Sequence, residues 1–335
     1  MESIGLRGYA ACLGEIFQPS STEPDGTSTA SARASARLES DVAKASDLAK
    51  DFGELSRTAT SDQRSGGLYL TGDLHALRLR AGWESLTNAG VAPKDVDLLI
   101  HFSALPESQM VRPGSSALLD RFTYISSWLK EQLGLTKARV AGVQQQGCSA
   151  FFGALDFAAA KLQSDRTIEN VLCIGGDAFP RGHERTVFHN RISDAGAACL
   201  LSRRNLKLRL LGLEQITKAY FWDTAKTENE LLSCYFPTAQ RVVEKLFSRL
   251  GVHPDSVDAV LPSGIRRDTW PILTRLWGIP VERCVQIEFE FGHTIQADSL
   301  LVLQAAADRL KPGMRVLLFG FGFGATWSAA LGEIE

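Results

Sequence analysis

Short apolar runs such as DLLIHF (97–102), VLCIGG (171–176) and RVLLFGF (315–321) alternate along this chain with stretches of helical spacing such as GALDFAAAKL and SLLVLQAAADRL. Continuous apolar runs of that length fit strands covered on both faces, and the 3.6-residue spacing between them fits the helices that cover them. The pattern predicts an α/β protein.

The pattern also repeats. LTNAGVAPKDVDLLIHFSA, ending at Ala104, and FSRLGVHPDSVDAVLPSGI, ending at Ile265, share a helix tail, Gly-Val-x-Pro, an acidic turn and Val-Asp opening a strand. Downstream, RVAGVQQQGCSAFFGALDFAAAKL reads as strand, Gly147, Cys148 and helix, and RCVQIEFEFGHTIQADSLLVLQAAADRL reads as strand, Gly292, His293 and helix. Each copy closes on a further apolar strand, VLCIGGD or VLLFGFG. Repetition on this scale fixes architecture. It divides the chain into two similar halves, residues 1–205 carrying Cys148 and residues 206–335 carrying His293, and makes those two residues structural counterparts.

With 335 residues, 44% of them hydrophobic and 22% charged, the chain is long enough for two such halves around one large core. A net charge of -2 leaves no electrostatic footprint for nucleic acid or an anionic membrane, and both are set aside as partners. Arg7 and Glu15 interrupt the apolar N-terminal stretch, so it reads as a first core strand rather than a signal peptide or membrane span. The six cysteines show no Cys-x-x-Cys spacing and the histidines no metal-ligand spacing. No metal or bound cofactor is expected, and the thiols read as reduced, which points to the cytoplasm. Residues 19–40, rich in Ser, Thr and Ala, have the composition of a mobile surface insertion. A second long segment, SALPESQMVRPGSSALLDRF, separates DLLIHF from the helix YISSWLKEQLGL.

The candidate chemistry sits at the two equivalent turns. A thiol in the first turn of a helix feels the partial positive charge of unpaired N–H groups, which favours thiolate. Those N–H groups can also hold a developing oxyanion, so one turn supplies both a nucleophile and part of an oxyanion hole. A lone cysteine is more often a packing residue. His293 at the matching turn shifts the reading of Cys148 to a nucleophile paired with a base across the pseudo-two-fold axis. Cys173 and Cys199 lie in apolar strands and read as core, whereas Cys12, Cys234 and Cys284 have no partner pattern. His101 reads as a core histidine and His253 as a turn residue, while His183 and His189 fall in a polar loop near Asp194. GFGFGATWSAAL is not a dinucleotide fingerprint, because its spacing is Gly-x-Gly-x-Gly and a strand rather than a helix follows. Gly320, Gly322 and Gly324 instead let backbone approach a neighbouring site.

At these residues the chain resembles the thiolase superfamily, within it the β-ketoacyl-ACP synthase III branch. GVAPKDVDLLIHFSA, QGCSAFFGALDFAAAKL, VLCIGGDA, ISDAGAACLL and VLLFGFGFGATWSAAL carry the resemblance, which covers roughly residue 65 to the end. It implies a five-layered αβαβα fold, usually a homodimer, with Cys148 on the acyl-accepting cysteine and Phe122 near the aromatic that such dimers insert into the partner's acyl pocket. Two departures stand out. Where decarboxylating members carry a His in Pro-His-Gln-Ala-Asn, LPSGIRRDTW places Ser263, and where they carry an Asn, the second-copy turn has His293. In the family that His and Asn stabilise the enolate formed on loss of CO2. Losing one such donor costs about 3 kcal/mol, or about a hundredfold in rate, which argues against ordinary malonyl-ACP decarboxylation.

A histidine beside an acyl-cysteine suits general-base catalysis on an alcohol, an amine or an acidic carbon. Branches of this family with such a His are similar to acyltransferases and unusual condensing enzymes of secondary metabolism, and the resemblance implies an acyltransferase of that kind. Cys148 takes the acyl group from a CoA or carrier-protein thioester, its own N–H and one from the Gly322 to Gly324 loop hold the oxyanion, His293 is the base and Ser263 adds a hydrogen bond. Phe323 narrows the pocket. Arg266 and Arg267 either meet a phosphopantetheine phosphate or an acidic acyl carrier protein, or are a solvated pair. The family's tryptophan segment for CoA adenine is not evident in TSDQRSGGLYLTGD, so CoA and carrier protein stay open as donors. Two alternatives remain: a carbon-carbon condensing enzyme with a β-keto or malonyl-type acceptor, and a non-catalytic partner subunit of a related synthase.

Overall fold

The structure, a computed structural model, describes residues 3–17, 68–71, 73–104, 123–179, 185–187, 190–224, 226–263, 267–285 and 292–335. The segment at 19–40 and its neighbours to residue 67, the stretch 105–122 with Phe122, His183, His189 and Arg266 lie outside the described residues.

The first half contains β1 (Gly5–Leu13), α1 (Leu74–Ala89), β2 (Leu98–Phe102), α2 (Ile125–Gln132), β3 (Arg139–Val143), α3 (Ala150–Ser164), β4 (Asn170–Asp177) and β5 (Ala195–Ser202). The second contains β6 (Leu208–Thr217), α4 (Glu228–Leu250), β7 (Ala259–Leu261), α5 (Thr269–Leu276), α6 (Asp298–Ala305), β8 (Arg315–Gly322) and β9 (Thr326–Ile334). The strands form one sheet in the order β7-β8-β9-β6-β1-β5-β4-β2-β3.

From the middle of the sheet outward, that order is the same on both sides. β1 is antiparallel to β5, β5 to β4, and β4, β2 and β3 run parallel; β6 is antiparallel to β9, β9 to β8, and β8 runs parallel to β7. The two sides meet through a short antiparallel contact, Gly5 opposite Arg209 and Leu6 opposite Leu208. Even the connections repeat. α1 ends on Gly90 and α4 on Gly251, both left-handed with φ of 61° and 63°, and each is followed by a one-turn 3-10 helix, Pro93–Asp95 or Pro254–Ser256. Those turns are the Gly-Val-x-Pro segments of the sequence repeat.

Helices fill three layers around the two sides of the sheet. α1 packs on β1, β5 and β4, and α2 on β2 and β3, forming one outer layer; α4, on β6 and β9, forms the other together with α5. Between them lie α3 and α6. α3 touches β2, β3, β4 and β5 of its own half and also β9, while α6 touches β7 and β8 of its own half and also β1 and β5. The result is the αβαβα layering. The sequence of α3, AFFGALDFAAAKLQS, suits a middle layer because apolar residues surround its axis, and Phe151, Phe152, Ala154 and Leu155 are all buried. Truncating either phenylalanine should cost about 3–5 kcal/mol. Among the described residues no helix is long and apolar enough to cross a membrane.

α3 starts just past the carboxyl end of the parallel strand β3, and Cys148 at its head meets His293 from the turn that leads into α6. The two middle helices therefore approach each other at the centre of the molecule.

Candidate active site

The chain leaves β3 through Gln144, Gln145 and Gln146, with Gln145 at φ 70° and Gly147 at φ 52°, and enters a 3-10 turn over Gly147–Ser149 that runs into α3. Cys148 occupies that turn, half-buried, at the head of a helix as its spacing predicts. Gly147 is needed for two reasons. Its backbone is left-handed, and a Cβ there would lie 2.4 Å from Phe323 N and 2.6 Å from Phe323 O. Gly322 is equally constrained, since a Cβ on it would lie 2.7 Å from Cys148 N. The Gly322–Gly324 loop between β8 and β9 thus lies directly on the Cys148 turn. Ser149 Oγ fastens the two by donating to Thr326 O at 2.8 Å.

The second turn uses the same device. Gly292 has φ 68°, and a Cβ there would lie 2.5 Å from Arg191 O. His293 N donates to Arg191 O at 2.8 Å, and Ser193 N donates to His293 O at 3.0 Å, so the segment entering β5 grips the histidine from both sides. Asp194 anchors that segment in turn. It accepts from Thr71 N and Phe179 N, each at 2.9 Å, and from Arg185 Nη1 at 2.7 Å.

These two turns bring Cys148 Sγ and His293 Nε2 to 3.4 Å, although 145 residues separate them in sequence. The other imidazole nitrogen, Nδ1, donates to Asp298 Oδ2 at 2.5 Å. Asp298 is the first residue of α6 and 1% exposed; its second oxygen accepts from Thr294 N at 2.7 Å and Thr294 Oγ1 at 2.6 Å. Burial disfavours a charged imidazole, but the Asp298 carboxylate and then Cys148 outweigh it, holding His293 well above its ordinary value. Burial likewise opposes ionisation of Asp298, and the His293 and Thr294 contacts overcome it, so its carboxyl sits below the usual range. The arrangement is a buried carboxylate–imidazole pair aimed at a thiol.

Neither Asp298 nor Thr294 stands out in the sequence. The signal they leave there is an acid opening an otherwise apolar helix, DSLLVLQA, five residues after a histidine, a spacing that does not reveal which way the intervening turn folds.

The remaining predicted residues are placed less centrally. Ser263, two residues past β7, is buried and makes no hydrogen bond to Cys148 or His293 among the described residues. Phe323 is 36% exposed beside the nucleophile turn and heads an aromatic column through Phe321 to Tyr235 and Trp327. Gly324 is left-handed at φ 87°. Arg267 is exposed in the turn before α5. His101 is buried in β2, and Cys173 and Cys199 face each other across β4 and β5, as core residues. His253 caps the turn at Pro254–Ser256.

Two family models match the chain: 3-oxoacyl-[acyl-carrier-protein] synthase III over residues 144–219, and the C-terminal part of the same enzyme over residues 247–334. The β-ketoacyl-[acyl-carrier-protein] synthase III of Gloeobacter violaceus is 27% identical over 289 residues, covering 77% of this chain and 83% of that protein. Among solved structures, the acyltransferase ChlB3 superposes with a TM-score of 0.75 at 19% identity, over 99% of this chain and 98% of that one. The 3-oxoacyl-[acyl-carrier-protein] synthase III of Aquifex aeolicus VF5 superposes with a TM-score of 0.71 at 20% identity, over 98% and 99%. The fold is thus that of the thiolase-like enzymes. Within them, it is the 3-oxoacyl-[acyl-carrier-protein] synthase III-like branch that the chain resembles.

Proposed function

We propose that the protein is an acyltransferase that carries an acyl group from a CoA or acyl-carrier-protein thioester through Cys148 to an alcohol, amine or carbon acceptor. The observation that carries this reading is the chain of contacts from Asp298 through His293 to Cys148, 2.5 Å and 3.4 Å.

An imidazole held well above its ordinary value beside a thiol stores the proton that the thiol loses. The Cys148 thiolate attacks the donor carbonyl carbon, and the carbonyl oxygen takes the negative charge within reach of Cys148 N–H and an N–H of the Gly322–Gly324 loop. As the donor's carbon-sulfur bond breaks, the departing thiolate takes the proton from the His293 imidazolium. The acyl-enzyme has no charge on Sγ, so His293 is left as a neutral base oriented by Asp298. It removes the acceptor's proton while the acceptor attacks the acyl carbon, and Cys148 leaves as thiolate, restoring the pair.

A base supported by a carboxylate is a poor substitute for the two neutral donors that an enolate needs. The negative charge of Asp298 lies behind His293, and Ser263 offers only a short hydroxyl in place of an imidazole N–H. This favours transfer to an acceptor with its own removable proton over malonyl decarboxylation. Ser263 is assigned a supporting hydrogen bond, Phe323 the wall of the acyl pocket, and Arg267 with Arg266 the contact to a phosphopantetheine phosphate or carrier protein. β3, at one end of the sheet, has no strand on its outer side among the described residues and exposes Val140, a template for pairing with a second copy in a homodimer.

Intact-mass spectrometry after incubation with acyl-CoA and acyl-carrier thioesters tests the reading. The wild type should gain one acyl mass and Cys148→Ala none, and added alcohol or amine acceptors should discharge it. Discharge only by a malonyl thioester with release of CO2 would move the assignment to a condensing enzyme. No acyl mass from any donor would point to a non-catalytic partner subunit.

A further inference from the structure

We infer that Gln296, through Asp177, is a positioning residue that holds the His293 turn against Cys148. The inference rests on the nucleophile–base pairing proposed above. It begins with a backbone that does not hold itself. Between His293 and α6, Ile295 sits at φ 61°. A β-branched residue is a genuine outlier in the left-handed region, and such a conformation persists only where its surroundings over-determine it.

The bonds of His293 N and O to Arg191 and Ser193 fix the start of the turn, and Asp298 fixes its end by binding Thr294 and the imidazole. The middle is fixed from the other half of the molecule. Gln296 is 2% exposed, and its Nε2 donates to Asp177 Oδ2 at the carboxyl end of β4. Its Oε1 is buried without a partner among the described residues, so the tie to Asp177 accounts for the orientation of the amide. Asp177 is itself immobile: it is fully buried, and its Oδ1 accepts from Ser103 Oγ at 2.9 Å. The Arg78 guanidinium, also fully buried, lies close enough to act on it electrostatically and donates to the adjacent Gly176 O at 2.7 Å. A buried carboxylate with a compensating cation is a rigid acceptor, and Gln296 connects it to a strained turn whose job is to place one imidazole.

The consequence is a division of labour. Asp298 sets the charge and tilt of His293, and Gln296, together with the backbone bonds of His293 to Arg191 and Ser193, sets where the turn lies relative to the nucleophile half. Loss of the Gln296 amide should let Ile295 relax and move His293 away from Sγ without touching Cys148, His293 or Asp298.

The test is the pH profile of Cys148 alkylation by iodoacetamide, which reads the pairing without any acyl donor, combined with single-turnover acylation and thermal melting. Gln296→Leu should alkylate about tenfold more slowly at neutral pH, with a profile displaced toward that of His293→Ala, while melting as a folded protein. Asp177→Asn keeps an acceptor oxygen for the amide and should stay within about threefold of wild type. Gln296→Glu places a second carboxylate against Asp177, and one proton can bridge the two while either is protonated. It should match wild type at acid pH and fall toward Gln296→Leu as pH rises, which keeps the idea testable if the leucine variant fails to fold. A wild-type profile in both Gln296→Leu and Gln296→Glu overturns the inference. An ordinary free-thiol profile in wild type itself overturns the pairing and this inference with it. A displaced wild-type profile that Gln296→Leu abolishes, with no acylation by any donor, sinks the acyltransferase reading and supports the positioning role.

Discussion

The Cys148 turn and the His293 turn, proposed to supply nucleophile and base, are the same piece of architecture used for opposite ends. Each follows a glycine held in the left-handed region, Gly147 or Gly292, and each glycine is pressed against backbone that precedes an antiparallel strand of the other half. They differ in what comes next. After Gly147 the chain enters its helix within three residues, and Cys148 stays half-buried, where a substrate can reach it. After Gly292 the helix waits until Asp298, and the added residues carry Thr294, the strained Ile295 and the buried acid itself. A nucleophile needs access and N–H groups, which an abrupt helix start supplies. A base that changes charge during a reaction needs a fixed counterion, which a longer turn supplies.

Breaking the comparison at its chemical end has the largest expected effect. His293→Ala should lower the acylation rate by about 10²–10⁴ and slow Cys148 alkylation at neutral pH; a rate within a few-fold of wild type would show that the thiol works alone. Asp298→Asn keeps the shape but no longer holds imidazolium. It should cost about 10–10³ in turnover, less than loss of the histidine, and an unchanged pH–rate profile would remove Asp298 from the machinery.

The two glycines sharpen the structural side. Gly147→Ala and Gly292→Ala each drive a Cβ into fixed backbone and should cost about 1–3 kcal/mol in chemical unfolding. Gly251→Ala, also left-handed but with open space around its Cβ, should cost less, about 1 kcal/mol. Equal losses at all three would mean that conformation alone, and not the close approach, requires glycine at the two turns.

The smallest expected effect is on stability against pH. His293 is raised in the folded state, so the stability it contributes is complete below its ordinary value near 6.5 and is lost as pH rises through the raised one. Asp298 is lowered, so its contribution is present above its ordinary value near 3.8 and is lost as pH falls through the depressed one. The melting difference between wild type and Asp298→Asn should therefore be widest between mildly acid and neutral pH and narrow on both sides. A difference that widened toward alkaline pH would contradict the raised state of His293.

Much of this architecture is legible in the residues themselves. The Gly-Val-x-Pro repeat locates equivalent helix ends and turns, because a left-handed glycine followed by a proline-led turn has few alternatives in L-residues. The pairing of Cys148 with His293 follows from their equal places in the two copies. Asp298 and Gln296 do not follow, and the cause is local: Ile295 takes a backbone conformation that its residue type disfavours, so spacing along the chain misreports the directions of the side chains on either side of it.

Sequence alone determined the α/β class, the duplication and the equivalent turns that carry Cys148 and His293, because periodicity, glycine placement and helix starts are local properties of the chain. Only tertiary structure decided that His293 has a carboxylate behind it, that Gly322 and Phe323 press on the nucleophile turn, and that Asp177 reaches across to Gln296. Those contacts, with the Ser149 bond that fastens the nucleophile turn, join residues as far as 177 positions apart, and they exist because two middle-layer helices from different halves begin at the same point in the core.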